Sequence, residues 1–277
     1  MRKPISFLAL LVLLLMPLGA TAQLAGADPL DRLDPERHGA GTLIAALEAL
    51  DAYRPSQAEA PARELLSHAE PEVARTAGWF LRRMGRAGHG ADTVAAVLAD
   101  ENADAAMRFS AVSALGPLRY GSSIARQVLT ESEDPALRKA AAKSLGEIHG
   151  TGSVDALQAA INSDADLPVQ RAAAWAIIRQ RDVTADALVT LTGHGEAEVR
   201  LQVVWALAQP RFVAASGITG HLRRILQGDA DCRVQAAAAW ALGEMADSLS
   251  AEALQQAVDS SRCRMASQAA VAALSRL

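Results

Sequence analysis

The sequence of 277 residues predicts an all-α fold, an α-solenoid of stacked helical hairpins. Three observations carry this expectation. Each of the four tryptophans follows a valine by six residues and precedes Leu or Ile by two, in "VARTAGWFL" (73–81), "VQRAAAWAI" (169–177), "VRLQVVWAL" (199–207) and "VQAAAAWAL" (234–242). A wider apolar set recurs at the same offsets, with breaker-rich turns between its copies. Alanine, the best helix former, fills the periodic stretches, and aromatic residues make up only 4% of the chain.

The elements follow in order. Residues 1–22 have the three parts of a secretory signal peptide: Arg2 and Lys3, an apolar run from Ile5 to Leu18, then Ala20-Thr21-Ala22. The cut is expected between Ala22 and Gln23. The run is shorter than the ~20 residues that a membrane span needs, so no stable membrane anchor is expected and the mature protein is expected in the periplasm or secreted. Residues 23–54 form an N-terminal segment, in which "GAGTLIAALEALDAY" (39–53) adds a capping helix.

Residues 55–277 hold about seven repeats, starting at Val73, Met107, Leu137, Val169, Val199, Val234 and Met265. Four residues after each start stands Ala77, Ala111, Ala141, Ala173, Val203, Ala238 or Ala269. Eight after stands Leu81, Leu115, Leu145, Ile177, Leu207, Leu242 or Ala273. These offsets lie on one helical stripe, with small residues where another backbone comes close. In the last repeat Leu274 fits better if the start is Ala266. Before the stripes come turns such as "SHAEPEV", "ESEDPAL", "DADLPV" and "GHGEAEV", with Pro71, Pro135 and Pro168 in the first helical turn, where no donor is wasted. Upstream of each turn lies a second amphipathic stretch, for example "GSSIARQVLTE" (121–131) and "GSVDALQAAIN" (152–162). Each unit is thus two antiparallel helices, and neither buries its stripe alone.

The segments "MRFSAVSALG" (107–116), "LRKAAAKSLG" (137–146) and "VQAAAAWALG" (234–243) resemble VRxxAAxALG, the second-helix signature of HEAT repeats, in particular the HEAT-like repeats named after phycobilisome lyases. The resemblance spans 55–277. It implies a right-handed superhelix whose second helices line the concave surface.

A helix turns ~100° per residue, so the tryptophan at offset six points nearly opposite the stripe at offsets zero, four, seven and eight. The same face carries Arg75, Trp79 and Arg83, then Phe109 and Ser113, Lys139 and Lys143, Arg171, Trp175 and Arg179, Gln202, Trp205 and Gln209, and Trp240 with Glu244. It is basic and aromatic in its first four units. The whole chain is acidic, with a formal charge of −4 that becomes −6 once Arg2 and Lys3 are removed. Such a balance argues against nucleic acid as partner. Two readings of the tryptophans stand side by side: they seal the inner surface by lying across neighbouring alanines, or they form rigid platforms flanked by arginine, a composition favoured in binding surfaces. On the second reading Trp79, Trp175, Trp205, Trp240, Arg75, Arg83, Arg171, Arg179, Lys139 and Lys143 bind a protein or peptide, with an acidic partner suiting the N-terminal half. The alternative is a carbohydrate or cell-wall ligand stacked on the same tryptophans. A lyase or maturation factor related to phycobilin lyases ranks last.

No catalytic, metal or cofactor site is expected. Some HEAT-like proteins are di-iron hydroxylases that use His-Glu dipeptides as ligands, and none occurs here. His68 and His194 occupy equivalent turns far apart, and His89 and His149 are expected after second helices, where a cation meets terminal carbonyls. The carboxylate pairs Glu131/Glu133 and Asp164/Asp166 read as capping or solvated turn residues. Cys232 and Cys263 each stand two residues before an expected second helix. Export permits a disulfide, while stacked helices ~8–10 Å apart argue against one; the balance leans towards a bond. Val271, Leu274 and Leu277 leave the last helix apolar at its end, so self-association or partner docking is expected there.

Overall fold

The computed structural model describes residues 28–277, apart from Thr151, Ala214 and Ser261; the expected signal peptide lies outside the described residues. Among the described residues there are fifteen α-helices and no strand. A 3-10 turn, Pro29–Arg32, precedes helix α1 (Ala40–Leu50), which buries Leu43, Ala46, Leu47 and Leu50 and packs on α3. Seven hairpins follow. Their first helices are α2 (Glu59–Glu64, extended by the 3-10 turn Leu65–Ser67), α4 (Ala87–Ala99), α6 (Ser122–Glu131), α8 (Val154–Ser163), α10 (Ala185–Leu191), α12 (Ile218–Gly228) and α14 (Ala251–Ser260). Their second helices are α3 (Pro71–Arg83), α5 (Ala105–Leu118), α7 (Pro135–Ile148), α9 (Leu167–Ile177), α11 (Ala197–Leu207), α13 (Cys232–Glu244) and α15 (Arg264–Leu274).

The starts are made locally. Pro71, Pro135 and Pro168 open their helices, while Asp104, Asp134, Asp166 and Asp231 accept from backbone N–H groups of the first turn. The stripe is then buried: Val73, Ala77 and Leu81, like Val169, Ala173 and Ile177, have no accessible surface. Neighbouring second helices pack along their length, whereas neighbouring first helices touch at few points. The stack therefore bends with the second helices inside, and the odd-numbered helices from α3 onward line its concave surface. Small residues permit the close approach. A Cβ at Gly146 would lie 2.3 Å from the Trp175 ring, and one at Gly243 would lie 2.8 Å from Cα of Ala273.

The residue after each start explains the arginine of the signature. Arg138 donates from Nε and Nη2 to the two oxygens of Asp164 (2.7 and 2.9 Å) and from Nη1 to the carbonyls of Ser132 and Glu133. Arg200 repeats this with Asp229 (both 2.8 Å) and the carbonyls of His194 and Gly195. Each arginine thus ties its own turn to the turn of the next unit. Asp164 is a buried ion-pair partner, not a solvated turn residue, because the next unit brings it under Arg138. Asp166 does cap α9.

Two corrections concern the last unit and the histidines. The register of α15 starts at Ala266: Ala266, Ala270 and Ala273 are buried while Met265 is 48% exposed. Cys263 therefore stands three residues before the start and is the N-cap of α15, with Sγ accepting from the N–H of Ala266, whereas Cys232 is the first residue of α13. The two cysteines are not equivalent, and their Cα atoms come within 5.5 Å and are joined by a disulfide. His89 does not follow a second helix; it sits in the first turn of α4, 2.6 Å from Glu59.

Candidate protein-binding face

The inner helices bring the expected face together. Arg75 of α3 reaches across α5 to Glu147 of α7 (3.2 and 3.3 Å) and donates to the carbonyl of Ser113 on the way. Arg83 pairs with Asp51 at 2.6 Å and lies 5.4 Å from the centroid of Trp79; Arg171 reaches Glu196 at 3.4 Å. Arg179 lies 3.9 Å over the Trp175 ring and donates to the Trp175 carbonyl. Lys139 and Lys143, one turn apart on α7, make no ion pair among the described residues. Apart from Lys3 they are the only lysines of the chain.

An open groove of about 600 Å³ is lined by Lys139, Lys143, Glu147, Pro168, Arg171, Ala172 and Trp175. A second, of about 460 Å³, adjoins it on the α3 side and shares Lys139, Lys143 and Glu147. The two form one trough across α3, α5, α7 and α9. Beyond it the packing of α9 on α11 loosens. There Trp205 is 45% exposed, with its ring 4.4 Å from that of Trp240 at a 46° tilt. The tryptophans are not uniform. Trp79, Trp175 and Trp240 are half-buried against the core, Trp175 lying across Gly146 of the preceding unit, and only Trp205 stands well out.

His68 and His194 accept from the N–H two residues on, at 3.0 and 3.1 Å, the place that Asp164 and Asp229 fill in other turns. Among the described residues no group of three or more His, Cys, Asp or Glu could hold a metal ion, and no helix is long and apolar enough to cross a membrane. A basic row at the ends of the second helices escaped the offset pattern, which stopped at ten. Offset twelve would have found it, for it holds Arg119, His149, Arg181 and Arg211 in four consecutive units.

Two histidines and three carboxylates, Glu59, Asp164 and Asp231, have shifts that bear on the response to acid. Burial, then the nearby Arg119, Arg179 and Arg181, push His149 below its ordinary range; burial and Arg224 do the same to His221. Arg224 donates to Nδ1 of His221, so Nε2 carries the proton towards Thr192. A histidine with a depressed folded value binds protons better when unfolded, so stability falls as pH drops below about 6.5. Asp164, held low by Arg138, adds a second loss below the ordinary carboxylate range. We expect the melting temperature to fall between pH 7.5 and 5.5, and His149→Gln with His221→Gln to flatten that fall. An unchanged slope in the double variant would refute the assignment.

Comparison with known proteins bears on the repeat fold. A family model of HEAT repeats matches residues 98–178, and one of the armadillo/β-catenin-like repeat matches 208–247. Residues 98–178 thus match HEAT repeats, within an all-α solenoid. Among solved structures, YibA of E. coli is similar to this chain at 17% identity over 100% of both chains, with a TM-score of 0.55. An engineered protein is similar at 19% identity over 91% of this chain and 78% of its own, with a TM-score of 0.51. The complex of CpcE and CpcF of phycocyanin lyase from Nostoc sp. shows 19% identity, 78% and 93% coverage and a TM-score of 0.41. At such identities the likeness concerns the fold alone. No curated protein matches the sequence significantly.

Proposed function

We propose that this HEAT-type solenoid is an exported scaffold that binds an acidic segment of another protein in its concave trough, and that its role is binding rather than catalysis. One observation carries the reading: the two lysines that make no ion pair among the described residues stand in the same groove as Arg171 and Trp175. Unpaired ammonium groups beside an aromatic platform attract carboxylates, and the trough supplies apolar contact. Export is supported by the signal-peptide pattern and by the Cys232–Cys263 disulfide, a bond that oxidising compartments preserve. In a titration with a labelled deca-glutamate peptide at about 0.05 M salt, where screening is weak, Lys139→Gln with Lys143→Gln is expected to weaken binding roughly tenfold, ~1.4 kcal/mol. Equal affinity of variant and parent would refute the groove.

The carbohydrate reading rests on a different observation, the exposed Trp205 against Trp240 beside the uncharged Gln202 and Gln209. Neutral cell-wall oligosaccharides separate the two. Quenching of tryptophan fluorescence that is lost in Trp205→Ala and insensitive to salt would favour the sugar.

A further inference from the structure

The groove does not use the row at offset twelve. Arg119 and His149 end α5 and α7 in the left-handed conformation (φ 51° and 52°). Arg181 ends the same position after α9, and Arg82 of α3 continues the row on the other side. The charges face one another: Arg119 and Arg83 lie near Arg82, and Arg119, Arg179 and Arg181 lie near His149. Cations at helix C-termini commonly satisfy terminal carbonyls. Arg211 does so, donating to the carbonyls of Ile178 and Gln180, and Arg54 does so at the carbonyl of Arg83. Arg82, Arg119 and Arg181 make no such side-chain bond and no ion pair among the described residues, and Nε of Arg82 is buried without a hydrogen-bond partner. Glu147 pairs with Arg75, and Asp182 accepts from the N–H of Gly152.

We propose that this rim, Arg82–Arg119–His149–Arg181, is a second track for the acidic polypeptide partner, binding it as an extended polyproline-II-like strand with carboxylates at every third residue. The inference rests on the reading of the chain as a binder of acidic segments. The spacing argues for it. Neighbouring inner helices stand ~8–10 Å apart, and a polyproline-II strand returns to the same side every three residues, about 9.3 Å along. One carboxylate per unit then meets one basic side chain per unit: a guanidinium at Arg82, Arg119 and Arg181, and at His149 a neutral imidazole that can donate an N–H. A β-strand would turn every third side chain to the opposite face.

The test uses labelled (Glu-Pro-Pro)4 and deca-glutamate with three proteins: the parent, the rim variant Arg119→Asn/His149→Asn/Arg181→Gln, and the groove variant Lys139→Gln/Lys143→Gln. Asparagine tolerates the left-handed conformation, so the rim variant retains its helix ends. For the spaced peptide at low salt, the rim variant is expected to lose at least tenfold in affinity and the groove variant less than threefold. Parent-like binding by the rim variant overturns the track. If the parent binds deca-glutamate but not the spaced peptide, the track also falls and the groove reading stands; if it binds neither, both fall. Should the rim variant unfold, the His149 imidazole resonances of the parent decide: they shift on peptide addition if the track is used, and stay in place if it is not.

Discussion

Arg200→Ala is expected to destabilise the protein by about 3–5 kcal/mol, more than any substitution on the concave face. The guanidinium makes two short bonds to Asp229 and two to turn carbonyls, and both side chains are largely buried, 12% and 7% exposed. Removing it leaves Asp229 as a buried carboxylate without its cation, and the loss of a partner from such a pair is far costlier than the pair's net contribution. Two tests follow from that asymmetry. Urea or thermal unfolding of Arg200→Ala should show the full loss, and Arg200→Met combined with Asp229→Leu should recover much of it. A single variant that melts within a degree or two of the parent would show that the pair does not join the units. Arg138→Ala should behave alike, since it stands in the same relation to Asp164.

Trp175→Ala is expected to lower both stability, by about 2–3 kcal/mol, and affinity for an acidic peptide, roughly tenfold. The stability loss follows from packing: the ring lies across Gly146 and under the Arg179 guanidinium, and its removal opens a cavity at the joint of two units. The affinity loss follows because the same ring lines the groove with Lys139 and Lys143. Trp205→Ala is expected to differ, costing about 1 kcal/mol or less of stability, since that ring is nearly half exposed and packs at a tilt on the Trp240 ring. Affinity is to be read well below the melting temperature, so that unfolding does not imitate it. Loss of stability in Trp175→Ala with unchanged affinity would retire the groove and leave the ring as a seal. Trp175→Phe, which retains part of the packing, should fall between the two.

The fold was legible because its causes are local and repeated. A stripe at offsets zero, four and eight, a proline or aspartate before it and a glycine after it act within one helix, and seven copies average out the exceptions. The exceptions arose where one copy had to be judged alone. In α15 the apolar residues permit two registers, and only burial against α13 selects Ala266 over Met265. His89 lay in a stretch with too few apolar residues to show that α4 begins at Ala87.

Periodicity by itself determined which residues face the seam and which face the trough, since a helix of known pitch leaves no freedom once its stripe is known. Tertiary structure decided what each trough residue touches. Arg75 meets Glu147, Arg83 meets Asp51 and Trp175 lies across Gly146, whereas Lys139 and Lys143 make no ion pair among the described residues and Trp205 stands out beside Trp240. Those outcomes join residues some 30 to 70 positions apart, and they depend on the spacing between units, which no periodicity within a single helix encodes.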